Sequence, residues 1–371
     1  MNDTFKYIKG DVLMKLKIGI IGCGGIANGK HMPSLSKINE VDMVAFCDIE
    51  IDKAQAAAEA FGSENAKVYE DYKLLLEDKS IDVVHVCTPN SSHKTLTVDA
   101  LDAGKHVMCE KPMAKTTKEA QAMIEAAERN HKKLTIGYQN RFRPDSQYLH
   151  KATQRGDLGD IYYGKAQAIR RRAVPTWGVF LDEEKQGGGP LIDIGTHALD
   201  LTLWMMNNYE PESVMGSTFH KLGKKENAAN AWGSWDPNKF TVEDSAFGFI
   251  KMKNGTTIVL ESSWALNSLD VDEAKCALSG TEGGADMKNG LNIHGEDFGT
   301  LYTKKIELEN KGVDFYEGET VDEAEVEARS WIDSILNDTD PVVKPQEAMV
   351  ITRILEGLYE SAKTGKAVYF E

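Results

Sequence analysis

Long apolar runs are missing from this chain. No stretch approaches the roughly 18 consecutive apolar residues that a membrane-spanning helix needs, so no membrane partner is expected. Positive charge is also scarce, with 43 Lys and Arg against 58 Asp and Glu and a formal net charge of -15. Such a field repels a nucleic-acid backbone unless a local basic patch overcomes it, so no nucleic-acid partner is expected either. Cysteine is sparse: Cys23, Cys47, Cys87, Cys109 and Cys276 are an odd set without close pairing. They do not read as a disulfide framework, and no CxxC spacing supports a thiolate metal site. Reduced, structural thiols in a cytoplasmic protein are expected instead. The opening MNDTFKYIKGDVL lacks the apolar core of a secretory signal, and neither an internal repeat nor a low-complexity linker interrupts the chain.

What is present is an ordinary globular composition, 41% apolar and 27% charged over 371 residues. That length exceeds one hydrophobic core and suits two domains. Residues 1–13 read as an extension ahead of the fold. From KIGIIG (17–22) onward, short apolar runs alternate with helical patterns: VDMVAFCD (41–48), DVVHVCT (82–88), HVMCE (106–110) and LTIGY (134–138). Strands apolar on both sides, separated by helices, predict a parallel sheet covered on both faces. The spacing therefore predicts a doubly wound α/β domain of Rossmann type over residues 14–138.

After about residue 140 the strands lengthen and alternate apolar with polar, as in IYYGKAQAIR, SAFGFIKMK and TTIVLESSW. Asn254-Gly255 between the last two is a strong hairpin signal. Residues 139–371 thus read as an α+β domain on a largely antiparallel, open-faced sheet. Phe247, Phe249 and Trp264 are candidates for its uncovered face, an association surface that predicts a homodimer or homotetramer. Residues 345–365 read as an amphipathic helix stopped by Gly365.

Three features carry chemistry. The first strand runs into Gly22, Cys23, Gly24, Gly25, Ile26 and Ala27, a GxGxxA pattern that opens a helix. Gly22 makes the tight turn, Gly24 lets backbone approach a pyrophosphate, and Ala27 permits close helix–strand packing. Asp48 ends the second strand, where a carboxylate accepts hydrogen bonds from the adenosine ribose and repels a 2′-phosphate. NAD is favoured over NADP. Second, Glu110-Lys111-Pro112 ends the fifth strand, at the edge where open sheets bind ligands. Third, Gly187-Gly188-Gly189-Pro190 precedes an apolar helix bearing Asp193, His197 and Asp200 at i, i+4 and i+7. Regular helical geometry puts these three on one face. A buried structural pair, an ion site and a catalytic pair all remain open, although no further His or Cys cluster supports a metal. The Arg170–Arg172 run reads either as a solvated strand end or as a clamp for a hydroxyl-rich or anionic substrate.

The GCGGIA loop, CTPNSSH (87–93), EKP (110–112) and GGGPLIDIGTHALD (187–200) together resemble the Gfo/Idh/MocA oxidoreductase family over nearly the whole chain after Met14. The resemblance implies hydride transfer between NAD(P) and a hydroxyl or keto carbon of a sugar or inositol-like polyol. It makes Lys111, Asp193 and His197 the catalytic group. It places Thr88, Asn90 and His93 along the cofactor, with Glu110 beside the nicotinamide ribose. Gln139 and Asn140 match positions that touch substrate, and Arg172 and Trp177 lie in a segment that borders the pocket. Two other readings stay open, a glycosidase acting by transient oxidation at C3 and a non-catalytic dinucleotide sensor.

Overall fold

The computed structural model describes residues 8–9, 12–13, 15–308 and 322–371. The expected extension, residues 1–13, lies outside the described residues apart from a short antiparallel pairing of Ile8–Lys9 with Val12–Leu13. The chain forms two compact units, Met1–Gln139 with Val321–Met349, and Asn140–Thr320 with Val350–Glu371.

The first unit is built on six strands: β1 (Leu16–Ile21), β2 (Val41–Cys47), β3 (Lys67–Tyr69), β4 (Val83–Val86), β5 (His106–Cys109) and β6 (Leu134–Ile136). Their order across the sheet is β3-β2-β1-β4-β5-β6, with every neighbouring pair parallel. This is the doubly wound arrangement expected from the apolar runs. The order reverses between β1 and β4, which opens a crevice at their carboxyl ends. Ile18, Ile20, Val83 and Val84 are fully buried, and each such side chain contributes about 1.5–3 kcal/mol. The helix Glu323–Leu336 completes this core through Trp331, Ile332 and Ile335. It belongs to the first unit although it lies far beyond the expected 14–138 span.

The second unit carries a nine-stranded mixed sheet of β7 (Ile161–Ile169), β8 (Pro211–Phe219), β9 (Ser245–Met252), β10 (Thr257–Ser263), β11 (Asp272–Gly280), β12 (Gly284–Asp286), β13 (Leu291–Asp297), β14 (Thr300–Ile306) and β15 (Val368–Tyr369). Among the described residues of this sheet only the β10–β7 pair is parallel. Asn254-Gly255 makes the expected hairpin between β9 and β10, with Gly255 at φ 90. On one face, Leu149 and the helix Thr196–Met206 pack against Cys276, Leu278 and Leu291. On the other, Met215, Phe247, Phe249 and Val259 share a shallow apolar hollow, with Phe249 half exposed. Trp264 is not on that open face. It is fully buried, and its indole points inward to the site described next.

Candidate active site

In the first unit, β1 ends at Gly22, whose φ of 91 suits glycine. An added Cβ there would sit 2.6 Å from the Cys87 carbonyl oxygen, so any larger residue would push β1 away from β4. At Gly24 and Gly25 an added Cβ would meet nothing within 4 Å. Open space therefore fronts the first helical turn, whose orphan N–H groups and positive dipole end suit an anion. The chain is helical from Gly25, Ile26 is exposed, and Ala27 is fully buried beneath it. Asp48 is drawn into this loop: its Oδ2 accepts the Cys23 N–H at 2.8 Å, and its Oδ1 accepts that of Glu50 at 2.9 Å. A carboxylate has about four lone-pair sites, so two hydroxyls can still be accepted. Burial pushes the neighbouring Cys23 and Cys47 thiols up to about 12. All five cysteines are buried free thiols.

Past β4, the Ser92 hydroxyl donates to Thr88 Oγ1 at 2.8 Å, while Asn90 starts the short helical turn Asn90–Ser92. His93 faces inward. It is fully buried, with Nδ1 2.8 Å from the Pro112 carbonyl and Nε2 2.8 Å from that of Thr88. Burial opposes its charge, yet Cys109 and the two carbonyls outweigh that and raise its pKa to about 9. The ring thus ties the Thr88 loop to the Lys111–Pro112 turn; both ring nitrogens already serve the backbone.

Glu110 sits in a buried charge network that the sequence did not announce. Its Oε1 accepts from Lys30 Nζ and His31 Nε2, each at 2.8 Å, and its Oε2 accepts the Lys111 N–H at 3.0 Å. Lys30 also pairs with Glu327 at 2.9 Å and reaches Gln139 Oε1 at 3.4 Å. Burial opposes the Glu110 charge, but Lys30 and His31 hold its carboxyl well below the usual range. Burial also pushes His31 and His85 down, which favours neutral imidazoles. With His31 Nε2–H donating to Glu110, its Nδ1 accepts from His85 Nδ1–H across 2.9 Å. The network fixes the backbone at Lys111, which is itself half-buried. Gly137 makes room for it, since an added Cβ there would lie 3.0 Å from Glu110 Oε1.

The second unit holds Asp193, His197 and Asp200. Leu191–Gly195 is a π-type segment that continues into the α-helix Thr196–Met206, so regular spacing fails for Asp193, while His197 and Asp200 stay three apart on one regular helix. Asp200 is fully buried on Arg141, with Oδ1 2.6 Å from Nη2 and 3.0 Å from Nε. Asp193 Oδ2 instead accepts the Trp264 indole N–H at 3.0 Å. His197 lies on the buried helix, 7% exposed. Ahead of it the three glycines are packing requirements. An added Cβ at Gly188 would fall 2.0 Å from the Tyr359 hydroxyl, and one at Gly189 would fall 2.1 Å from the Glu243 carbonyl oxygen. The buried Glu243 carboxylate clamps this turn by accepting the Gly189 and Leu191 N–H groups and the Tyr359 hydroxyl. Burial raises the Glu243 pKa and pushes Tyr359 up further, so the phenol stays a donor.

Of the remaining candidates, Asn140 opens the second unit in the turn Gln139–Phe142. Arg172 donates to Asn267 at 2.8 Å, and Trp177 is 52% exposed. Arg170 is bound by Glu273 at 2.5 Å, which makes it a fixed strand end rather than a free clamp. Among the described residues no group of three or more His, Cys, Asp or Glu could hold a metal ion, and no helix is long and apolar enough to cross a membrane.

The family model of the NAD-binding Rossmann-fold oxidoreductases matches residues 16–138, and that of the GFO/IDH/MocA C-terminal domain matches residues 146–286. The D-glucoside 3-dehydrogenase of Escherichia coli strain K12 is 36% identical over 356 residues, 95% of this chain and 97% of that protein. The inositol 2-dehydrogenase of Salmonella typhimurium is 32% identical over 195 residues, 52% of this chain and 55% of that protein. Among solved structures, an oxidoreductase domain protein from Kribbella flavida has the same fold, with a TM-score of 0.84 at 23% identity over 97% of this chain and 100% of that one.

Proposed function

The chain belongs to the GFO/IDH/MocA family of NAD-binding oxidoreductases, and from that membership we propose that it oxidises the carbon-3 hydroxyl of a D-glucoside with NAD. The observation that carries the substrate reading is the 36% identity to the E. coli D-glucoside 3-dehydrogenase along 95% of the chain. The inositol dehydrogenase similarity covers only 52%.

The open space before Gly24 and Gly25, the fixed Gly22 turn and the half-used Asp48 carboxylate fit a dinucleotide. Gly22, Gly24, Gly25, Ile26 and Ala27 would hold the pyrophosphate and Asp48 the adenosine ribose, with Thr88 and Asn90 along it. Bound NAD supplies the acceptor for the hydride that leaves the sugar carbon. That carbon releases hydride only if the hydroxyl proton also departs, and His197 is the base that takes it. Lys111 is read as the cation that stabilises developing negative charge. Asp193, itself held by the Trp264 indole, is read as orienting His197. Glu110 acts one step back, by fixing the Lys111 backbone. Gln139, Asn140, Arg172 and Trp177 are read as substrate contacts. The five buried thiols support a reducing, cytoplasmic setting.

A screen of D-glucosides, free sugars and cyclitols at the NADH absorbance tests this reading, with the highest kcat/KM expected for a D-glucoside. Higher kcat/KM for a cyclitol, or tighter binding of NADP than of NAD, contradicts it. Sugar hydrolysis without net NADH would indicate the glycosidase reading, and NAD binding without turnover the sensor.

The same reading extends to assembly. Phe249 is 50% exposed and Met215 54% exposed on the open sheet face, and a contiguous apolar patch of this kind favours association. A homodimer or homotetramer through this face is expected. Sedimentation at micromolar concentration should show a species heavier than 41.0 kDa, and Phe249→Glu should release the monomer. A wild-type protein that sediments only as a monomer overturns the assignment.

A further inference from the structure

The second unit exposes aromatic surface that the hydride-transfer step itself does not use, around Trp177 and extending to Trp232 and Phe180. The Trp177 and Trp232 rings meet at 5.0 Å and 71°, and Phe180 stands edge-on to Trp177 at 5.9 Å. Trp177 is 52% and Trp232 42% exposed. Water contact on two neighbouring tryptophans forfeits a large part of their burial energy, so the arrangement calls for an occupant.

The patch is held rigidly. The Thr176 hydroxyl donates to the Trp232 carbonyl at 2.7 Å. Asn230 brackets the facing segment, accepting the Val174 N–H at 2.8 Å and donating to its carbonyl at 3.0 Å. The Arg170 guanidinium, fixed by Glu273, lies 5.1 Å from the Trp232 ring centre. An ordered right-angled corner of this type is pre-organised for a flat ligand.

Its position relates it to the proposed site within the same unit. The Ala173 N–H donates to the Trp264 carbonyl at 2.9 Å, and the Trp264 indole donates to Asp193. Arg170, which covers Trp232, also lies close enough to Asp193 to feel its charge. Arg170 thus links the corner to Asp193, since it stands over the Trp232 ring and feels the Asp193 charge. A pyranose suits it, because the polarised C–H groups of one sugar face meet the negative face of an aromatic ring. Its rim hydroxyls stay in water.

We propose that Trp232, Trp177 and Phe180 form a subsite for a second pyranose ring, so that the substrate is a disaccharide-type glucoside rather than a free hexose. This rests on the glucoside reading above and deepens it. The test compares a glucose disaccharide with methyl D-glucoside, in the wild type, Trp232→Ala and Trp232→Phe. Trp232→Ala should lower the disaccharide-to-methyl-glucoside ratio of kcat/KM on the order of tenfold, the usual weight of an aromatic contact. The change should lie in KM for the disaccharide, as removal of uniform binding does, and Trp232→Phe should restore most of it. An unchanged ratio overturns the subsite, whether both substrates weaken together or neither does. If the wild type reduces no NAD with any sugar, the glucoside reading fails separately. Tryptophan fluorescence then decides the subsite alone: quenching by the disaccharide that Trp232→Ala abolishes upholds it, and no quenching overturns it.

Discussion

His197→Asn should slow sugar oxidation on the order of 10²–10⁴-fold, the usual contribution of a positioned acid or base, while NAD binds as before. The separation is expected because the cofactor loop and Asp48 belong to the first unit and His197 to the second. Asparagine keeps a polar side chain of similar size on a helix that is buried along most of its length, so the fold should survive. Lys111→Met should be comparably harmful, with some further loss of NAD affinity. If both groups act on one oxygen, the double variant should be little worse than either single one. Turnover and melting temperature measured on the same His197→Asn sample separate this from a structural role. In that case activity would simply follow the folded fraction. Full turnover in a stably folded His197→Asn protein removes His197 from the mechanism.

The second large effect concerns stability. Asp200 and Arg141 are both fully buried, and the guanidinium also lies 5.3 Å from the Trp204 ring centre and 3.3 Å from the Tyr209 hydroxyl. Asp200→Ala would strand a buried cation, a loss of about 3–5 kcal/mol. Asp102 and Arg129 make an equally close pair at 2.7 Å, but both are more than two-fifths exposed. Asp102→Ala should therefore cost under about 1 kcal/mol. Burial, not hydrogen-bond geometry, decides between them. Urea unfolding of the two variants checks the contrast. Equal losses would mean that the Arg141 pair is better solvated than its burial indicates.

The fold was readable where one local signal had one structural meaning. Apolar runs between helices led to the parallel sheet, alternation to the half-open sheet, and Asn254-Gly255 to its hairpin. The glycine loop was readable for the same reason, since Gly22 must turn sharply against Cys87. Partners supplied from a distance were not. The helix Glu323–Leu336 is an ordinary amphipathic pattern, and nothing in it tells which core Trp331 will enter. Glu327 on that helix meets Lys30, which in sequence is just a basic residue after a loop. The triple glycine did signal close approach, but not that Tyr359 and Glu243 are what approach. Asp200 meets Arg141, 59 positions away in sequence, and no local pattern announces that partner. Trp264 follows an alternating strand and so looked outward, whereas its indole turns inward to Asp193.

Hydride passes from one carbon of a glucoside to NAD in the proposed reaction. Methyl D-glucoside bearing deuterium at carbon 3, incubated with the enzyme and NAD, tests it in a single mass measurement of the reduced cofactor. Deuterium should appear in the reduced cofactor, and the sugar product should be the 3-keto glucoside. Unlabelled NADH, or no NADH from any D-glucoside, would contradict it.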